Sequence, residues 1–401
     1  MSVSQPPEDE PIGRRVARWR DRRRMTQQML ADRLGKSKSW VDKVERGVRS
    51  LDRFSVIQDV AGVLRVDVSV LTGAATRPAV AGAIDEDVDR VRAALARYDF
   101  LQPGPPLRAV PPVGELDRQV THAWLSYQRA HYPQLMRMLP GLLGDAQRAH
   151  ATQGEGDLLI QVYRITASVL VKLGEADLAW LAADRAMAAA SGDPLLAAAA
   201  AIPLGQALRA AERGRLAMSA TATAAHRIAP TVPQAGAPPE LALCGTLLVE
   251  AALAAASCGD ARGAGELLAQ AGEIAERVDG SQDHHHTGFG STSVRLARVT
   301  AAVDLDDGGA AVAWHEKAVG ASGWSLLPVE HRAAHLVDAA RAYLHVGDLL
   351  RAGRALVDAE RTAPAEIRYR PAAHAMVEFV ASVRPVAAGV ARLASLIGLT
   401  R

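Results

Sequence analysis

Lys38, Ser39, Asp42 and Lys43 lie close together in the stretch TQQMLADRLGKSKSWVDKVERG, Thr26 to Gly47. On one short helix these types present ammonium donors, a hydroxyl and a carboxylate acceptor. The set matches what base edges display in a nucleic-acid major groove: lysine can donate to guanine acceptors, and aspartate can accept from a cytosine amino group. Ser37, Arg46 and Arg49 flank them as further DNA-binding candidates, and the two arginines suit phosphate oxygens, which fix position without reading sequence. A second set is scattered later in the chain. Tyr163, Arg164, Arg295, His335 and Asp338 are each polar within an otherwise apolar helical stretch. They are candidates to converge on one ligand or partner groove; the competing reading is that they satisfy one another between helices.

Other constellations carry less. His284, His285 and His286 are adjacent, but no acid or cysteine completes a defined metal site, so a solvated loop is expected. His331 and His335 stand one helical turn apart, a spacing that can hold zinc, yet EHRAAH lacks the glutamate of a metalloprotease motif. His335 with Asp338 reads better as a polar patch. The acids of DLDDGG read as loop acids. Phosphate-binding glycine loops, nucleophile elbows and dinucleotide fingerprints are missing from the sequence, so no catalysis, metal or cofactor is expected.

The elements that would position the first set follow from periodicity and caps. Ile12, Val16 and Trp19 give one apolar stripe on a first helix with an arginine-rich opposite face. Thr26 caps a second helix whose Met29, Leu30 and Leu34 turn inward, and Gly35 permits a sharp turn. Ser37 caps the third, with Val41 and Val44 buried and Gly47 closing it. Trp40 reads as a half-buried packing residue and Glu45 as structural. RFSVIQDVAGVL and the short VSVLTG supply two more helices.

Charge agrees with this placement. The chain has 401 residues and a net charge of +2, but Ile12 to Arg49 carries 13 Arg or Lys against four acids, a balance of +9 that leaves −7 for the rest. A basic module on a mildly acidic body is the footprint of nucleic-acid binding. Aromatics are 4% and apolar residues 49%, with alanine dominant, which favours closely packed helices. No run is expected to reach the roughly 20 apolar residues of a membrane span, and the polar, acidic MSVSQPPEDEP is unlike a signal peptide. A cytoplasmic protein, nucleoid-associated when bound to DNA, is the expectation. Cys244 and Cys258 lack paired spacing and read as buried thiols.

Beyond the module, GAATRPAVAGAIDED (Gly73 to Asp87) reads as a linker, DVDRVRAALARY as a helix, and LQPGPPLRAVPPVG, with five prolines, as a stiff spacer. From Glu115 to Thr362 helix follows helix, breaking at Gly174, Gly214, Gly259 and Gly347, with DDGGAAVAWHEKA in the middle of the last and widest step. This is the mark of stacked helical hairpins with small residues on the second helices, five to six pairs around a concave face. Two capping helices or a dimerisation arm end the chain. The domains expected are a disordered tail at 1–11, a DNA-binding module at 12–73, a linker with one helix at 74–114, and a repeat domain at 115–401. The fold class is all-α.

The register of capping Thr26, Ala31, Gly35, Val41, Val44 and Glu-Arg-Gly, with the trailing FSVIQDVAGVLRVDVSVL, resembles the five-helix helix-turn-helix domain of the Cro and phage-repressor type, the XRE family. The repeats resemble the tetratricopeptide (TPR) class. Taken end to end, through LAWLAADRAMAAASGDP and GFGSTSV to HLVDAARAYLHVGD, the chain resembles actinobacterial regulators that join the two; Ser291 and Ser293 stand where those relatives carry a proline and an asparagine. The resemblance implies double-stranded DNA as partner, with Gln27 at the start of the second helix contacting phosphate, a near-palindromic operator read by a homodimer, and a small-molecule, peptide or protein effector in the TPR-like groove. The alternative is a TPR protein-interaction scaffold with a secondary DNA tether. Salt-dependent binding to a defined operator separates the two.

Overall fold

The computed structural model describes residues 11–49, 51, 54–64, 66, 71, 79–97, 110–154, 156–190, 192–230, 236–278, 282–383 and 389–399. Among them there are twenty α-helices and no strand.

The N-terminal module consists of α1 (Ile12–Arg22), α2 (Gln27–Arg33), α3 (Lys38–Glu45) and α4 (Phe54–Leu64). The fifth helix expected at VSVLTG lies outside the described residues except for Leu71, which is fully buried. Val16, Leu30, Ala31, Val41, Val44, Ile57, Val60 and Leu64 form the module's core. Both caps are present: the Thr26 hydroxyl accepts from the Met29 N–H at 3.1 Å, and Ser37 accepts from Trp40 N–H at 3.2 Å. Gly35 takes φ +61°, as the tight turn demands. Met29 does not turn inward; it is 42% exposed. A seven-residue helix has room for one apolar stripe, and Leu30 with Ala31 occupies it.

Gly13 is the tightest point of the module. A Cβ there would stand 2.0 Å from the Val44 carbonyl oxygen, so α1 crosses α3 in backbone contact. Only glycine permits that approach.

The segment read as a linker is partly helical. α5 (Ala79–Leu95) begins inside it, where alanines of high helix propensity recur, and Ile84, Val88, Val91 and Leu95 form a stripe buried in the body's first core, against α7. The body therefore starts at α5. Residues 101–109 of the proline-rich spacer lie outside the described residues. α6 (Val113–Gln128) and α7 (Tyr132–Gln153) follow. Five hairpins come next: α8 (Gly156–Lys172) with α9 (Ala176–Ala189), α10 (Pro194–Ala210) with α11 (Gly214–Ile228), α12 (Pro238–Ser257) with α13 (Ala261–Ala275), α14 (Ser291–Asp304) with α15 (Gly308–Val319), and α16 (Val329–His345) with α17 (Leu349–Thr362). The short α18 (Pro364–Arg368), α19 (Pro371–Ser382) and α20 (Val390–Leu396) end the described chain, with α18, α19 and α20 all packed on α17 as a cap. The fold is thus a helical module followed by a TPR-like solenoid.

Three of the four expected breaking glycines, Gly174, Gly259 and Gly347, hold left-handed turns with φ near +80°. The fourth turn uses Glu212 (φ 59°), while Gly214 opens α11, where a Cβ would meet Cys258 Sγ at 2.6 Å. Asp306 (φ 62°) turns the α14–α15 hairpin. Two composition readings change as well. Cys244 is buried, but Cys258, at the end of α12, is exposed. α12 itself has 20 residues with a mean hydropathy of 1.5, so one helix is long and apolar enough to cross a membrane; most of it is buried at the centre of the solenoid, as expected of a helix apolar all round.

The module is docked on the C-terminal half of the solenoid. α4 lies against α16, and Ile57, Val60 and Leu64 belong to the same continuous apolar cluster as Val337, Tyr343 and Leu344.

Candidate nucleic-acid interface and groove

Around α3 the module sorts its charges into two groups. Lys38, Ser39, Lys43, Arg46 and Arg49 are exposed, as is Lys36 in the preceding turn. Val41 and Val44 on the opposite face anchor the helix, so its outer face is held rigidly toward solvent. Asp42 is half-buried and ion-paired with Arg46 on the next turn, so its carboxylate must leave that pair to read a cytosine. Ser37 is engaged as the α3 cap. Trp40 is half-buried against the core.

The second group of charges points inward. Arg20 holds buried Glu45 with one edge of its guanidinium, Nε at 2.6 Å and Nη2 at 3.1 Å, and its Nη1 donates to the Met25 carbonyl at 2.8 Å. Arg15 donates to the Leu71 carbonyl at 3.2 Å and Arg23 to the Leu64 carbonyl at 3.1 Å. The arginine-rich face of α1 is therefore in good part scaffolding rather than nucleic-acid surface. Gln27 also turns inward, its amide donating to Glu45 Oε2 at 2.8 Å. This bond engages the Gln27 amide nitrogen, because Glu45 is a buried acceptor at the foot of α3 with oxygens to fill.

In the body, the first helices of all five hairpins line one cavity of about 630 Å³. Arg164 and Lys172 enter it from α8, Arg209 from α10, Glu250 from α12, Thr300 from α14 and His335 with Asp338 from α16. The ring of helices closes on itself: Lys172 pairs with Glu330 of α16, and lies 3.2 Å from Glu366 of α18, which Arg370 holds at 2.9 Å. Three of the five expected groove residues, Arg164, His335 and Asp338, therefore meet.

Tyr163 and Arg295 do not join them. Adjacent residues on a helix point about 100° apart, so Tyr163 cannot share a face with Arg164. It is buried between α8 and α7, its hydroxyl accepting from Gln147 Nε2 at 3.0 Å. Arg295 lines a second cavity of about 620 Å³ that contains Leu125, Gln128 and the turn around Gly323.

The His284–His286 segment is not a solvated loop. It folds as a single 3-10 turn over the groove, with His286 stacked on Trp124 at a centroid distance of 4.4 Å and an interplanar angle of 14°. Arg164 donates to the His285 carbonyl at 2.8 Å and lies 5.2 Å from the Trp124 ring centre. Burial, reinforced by Arg164, pushes both His285 and His286 below the usual imidazole value. His335 is buried too, sharing a hydrogen bond with His315 at 2.9 Å, and burial together with His315 lowers its pKa to about 4. The His331–His335 spacing thus holds a buried imidazole pair at one end. Among the described residues, no three His, Cys, Asp or Glu side chains are grouped to hold a metal ion. The Asp338 carboxylate accepts from the Thr300 hydroxyl at 3.0 Å.

Residues 11–72, the whole N-terminal module, match a family described as a helix-turn-helix domain. The chain carries a helix-turn-helix domain. Its boundaries agree with the register of Thr26, Gly35 and Gly47 that carries the XRE resemblance. Comparison with curated proteins gives no match. Among solved structures, the crystal structure of Bacillus thuringiensis PlcR in complex with the peptide PapR7 and DNA aligns at 11% identity and a TM-score of 0.25, covering 67% of this chain and 95% of that one.

Within the helix-turn-helix domain, two features escape sequence reasoning: the Gly13 crossing and the Arg20–Glu45–Gln27 network. In the groove, Trp124, His286, Lys172 and Glu330 escape it. Only a histidine run before a glycine-bearing turn, and a tryptophan on an amphipathic helix, hinted at the first two.

Proposed function

We propose that the protein is a sequence-specific DNA-binding transcriptional regulator whose helix-turn-helix domain reads DNA through α3 and whose solenoid groove senses an effector. The observation that carries the reading is the exposed Lys38–Ser39–Lys43 face on a helix capped at Ser37 and locked by Val41 and Val44. Lys38, Ser39 and Lys43 contact base edges; Lys36, Arg46 and Arg49 contact phosphates. One recognition helix spans too few base pairs for useful specificity, so a homodimer on a near-palindromic operator completes the site.

The docking of the two regions supplies the means of control. Gln58, on α4 of the helix-turn-helix domain, lines the same cavity as Arg164 and Asp338. An occupant of the groove therefore meets the DNA-binding domain directly. It acts by binding more tightly to one placement of that domain than to another, as any effector must. The effector class is a small molecule or short peptide, within the range of sizes that ligand cavities of this volume accept.

Anisotropy titrations of a labelled duplex at a series of salt concentrations test the DNA reading. Each phosphate contact contributes about −0.9 to the slope of log affinity against log salt. Replacing Lys36, Arg46 and Arg49 by glutamine should flatten that slope; an unchanged slope places the DNA surface elsewhere. Sedimentation of the full chain at micromolar concentration should show a dimer, and a monomer would remove the two-half-site operator.

A further inference from the structure

We propose that the groove takes its effector by a carboxylate group, received by Arg164 beside the Trp124–His286 wall. This rests on the groove being the sensor site and names the chemistry it recognises.

The groove contains five guanidinium or ammonium groups, and four already have carboxylates. Lys172 has Glu330 and Glu366, Arg209 has Glu250 at 3.4 Å, Arg341 has Asp304 at 2.9 Å and Arg370 has Glu366. Arg164 has none among the described residues. It is 4% exposed, its Nε has no hydrogen-bond partner, and the His285 carbonyl is its one acceptor. The acids nearest in charge are engaged by neutral donors: Asp157 by Gln161 at 3.2 Å, Asp283 by Gln128 and by the Gly288 N–H. A buried guanidinium with no carboxylate hydrogen-bonded to it is costly: burial lowers its pKa to about 10, while Asp157 and Asp283 act on it only through space. A buried orphan cation lining a cavity is completed by an anion, and the planar guanidinium fork fits a carboxylate best.

The walls say more about the rest of the ligand. Beside Arg164 stands the Trp124 indole with His286 stacked on it, and Phe289, Ile202, Leu253 and Leu296 line the same cavity. Such a slot favours a flat or aromatic body attached to the carboxylate. A free aromatic acid and the C-terminal residue of a short peptide present the same chemistry.

The test uses the full-length protein and calorimetric titration with three acid–amide pairs: 3-phenylpropionate, indole-3-acetate and the tripeptide Ala-Ala-Phe, each as the free acid and as its primary amide. At least one acid should bind at millimolar concentration or below, about tenfold or more tighter than its own amide, as expected for a charge-assisted hydrogen bond. Arg164→Gln should abolish that preference and Arg164→Lys should keep part of it. Preference for the free peptide acid alone assigns the carboxylate to a peptide; preference for the small acids assigns it to an organic acid. Equal binding of acid and amide in the wild-type protein, or no binding by any acid, overturns the proposal, and this comparison needs no variant to fold. Acid-selective binding that leaves DNA affinity unchanged upholds the carboxylate site and contradicts the regulatory reading of the groove.

Discussion

The helix-turn-helix domain and the groove are both sets of polar residues on rigid helices, yet they are built in opposite ways. Everything that aims α3 lies within a short span of chain: Ser37 caps it, Val41 and Val44 anchor it, and Glu45 ties its end to Arg20 and Gln27. The groove draws on Trp124, Arg164, Glu250, His335 and Arg370, which only the stacking of hairpins brings together. A local site stands or falls with its own few helices. A site assembled across repeats depends on the spacing of the whole stack and can transmit its occupancy through that stack.

The largest effect expected from this contrast is at Gly13. A Cβ there collides with the Val44 backbone, which no side-chain rotation relieves. Gly13→Ala should cost about 3 kcal/mol and abolish DNA binding while the solenoid's helical signal persists. Gly47→Ala, with φ +72° but open space around it, should cost only about 1 kcal/mol. Thermal melts followed by circular dichroism check both; equal losses would show that the α1–α3 crossing is not the domain's tight point.

Acid should act on the other region. All twelve histidines lie outside residues 12–73, and His315 and His335 are buried neutral with lowered pKa values. Between the ordinary imidazole value near 6.5 and about 4, the unfolded chain binds protons that folded His335 refuses, so stability falls as pH falls through that window. The slope should approach about 1.4 kcal/mol per pH unit for His335 alone, and His335→Asn should flatten it. Denaturant titrations at pH 7 and pH 5 measure this; equal stability at both would mean that the imidazole pair is open to solvent.

A smaller effect is expected from Gln27→Ala. Its bond to Glu45 makes it a support for α3, so the variant should lose about 1 kcal/mol of stability. An unchanged melt with uniformly weaker binding to all DNA would instead assign Gln27 a phosphate contact. The smallest effect belongs to Arg295→Ala, which lies off the main cavity and should shift stability by no more than about 0.5 kcal/mol. Acid-selective ligand binding should survive it. Loss of that binding would join the two cavities into one site.

The same contrast explains what could be read from the sequence. Thr26, Ser37, Gly35 and the buried valines announce the helix-turn-helix domain because caps, turns and stripes are written in neighbouring residues. The hairpin breaks at Gly174, Gly259 and Gly347 are legible for the same reason. Polarity within an apolar helix singled out Arg164, His335 and Asp338, which line one cavity. It failed for Tyr163, whose hydroxyl finds Gln147 inside the core, since polarity alone does not say which side of a helix faces a cavity. It failed for the histidine triplet because a loop's folding onto Trp124 depends on where α6 and α12 come to lie. Met29 and the arginines of α1 show the converse: residue type suggested one face, and the geometry of short crossing helices assigned another.

The central claim is that α3 reads sequence. Selection of bound duplexes from a random oligonucleotide library by the full-length protein, sequenced after several rounds, tests it most directly, with Lys43→Ala selected in parallel. The account predicts one enriched motif for the wild-type protein, arranged as two half-sites about one helical turn apart. For the variant it predicts relaxed preference at one position of each half-site and about 2 kcal/mol weaker binding to the wild-type motif. A wild-type pool no more enriched than the starting library, or a Lys43→Ala pool enriched for the same motif with equal affinity, would contradict it.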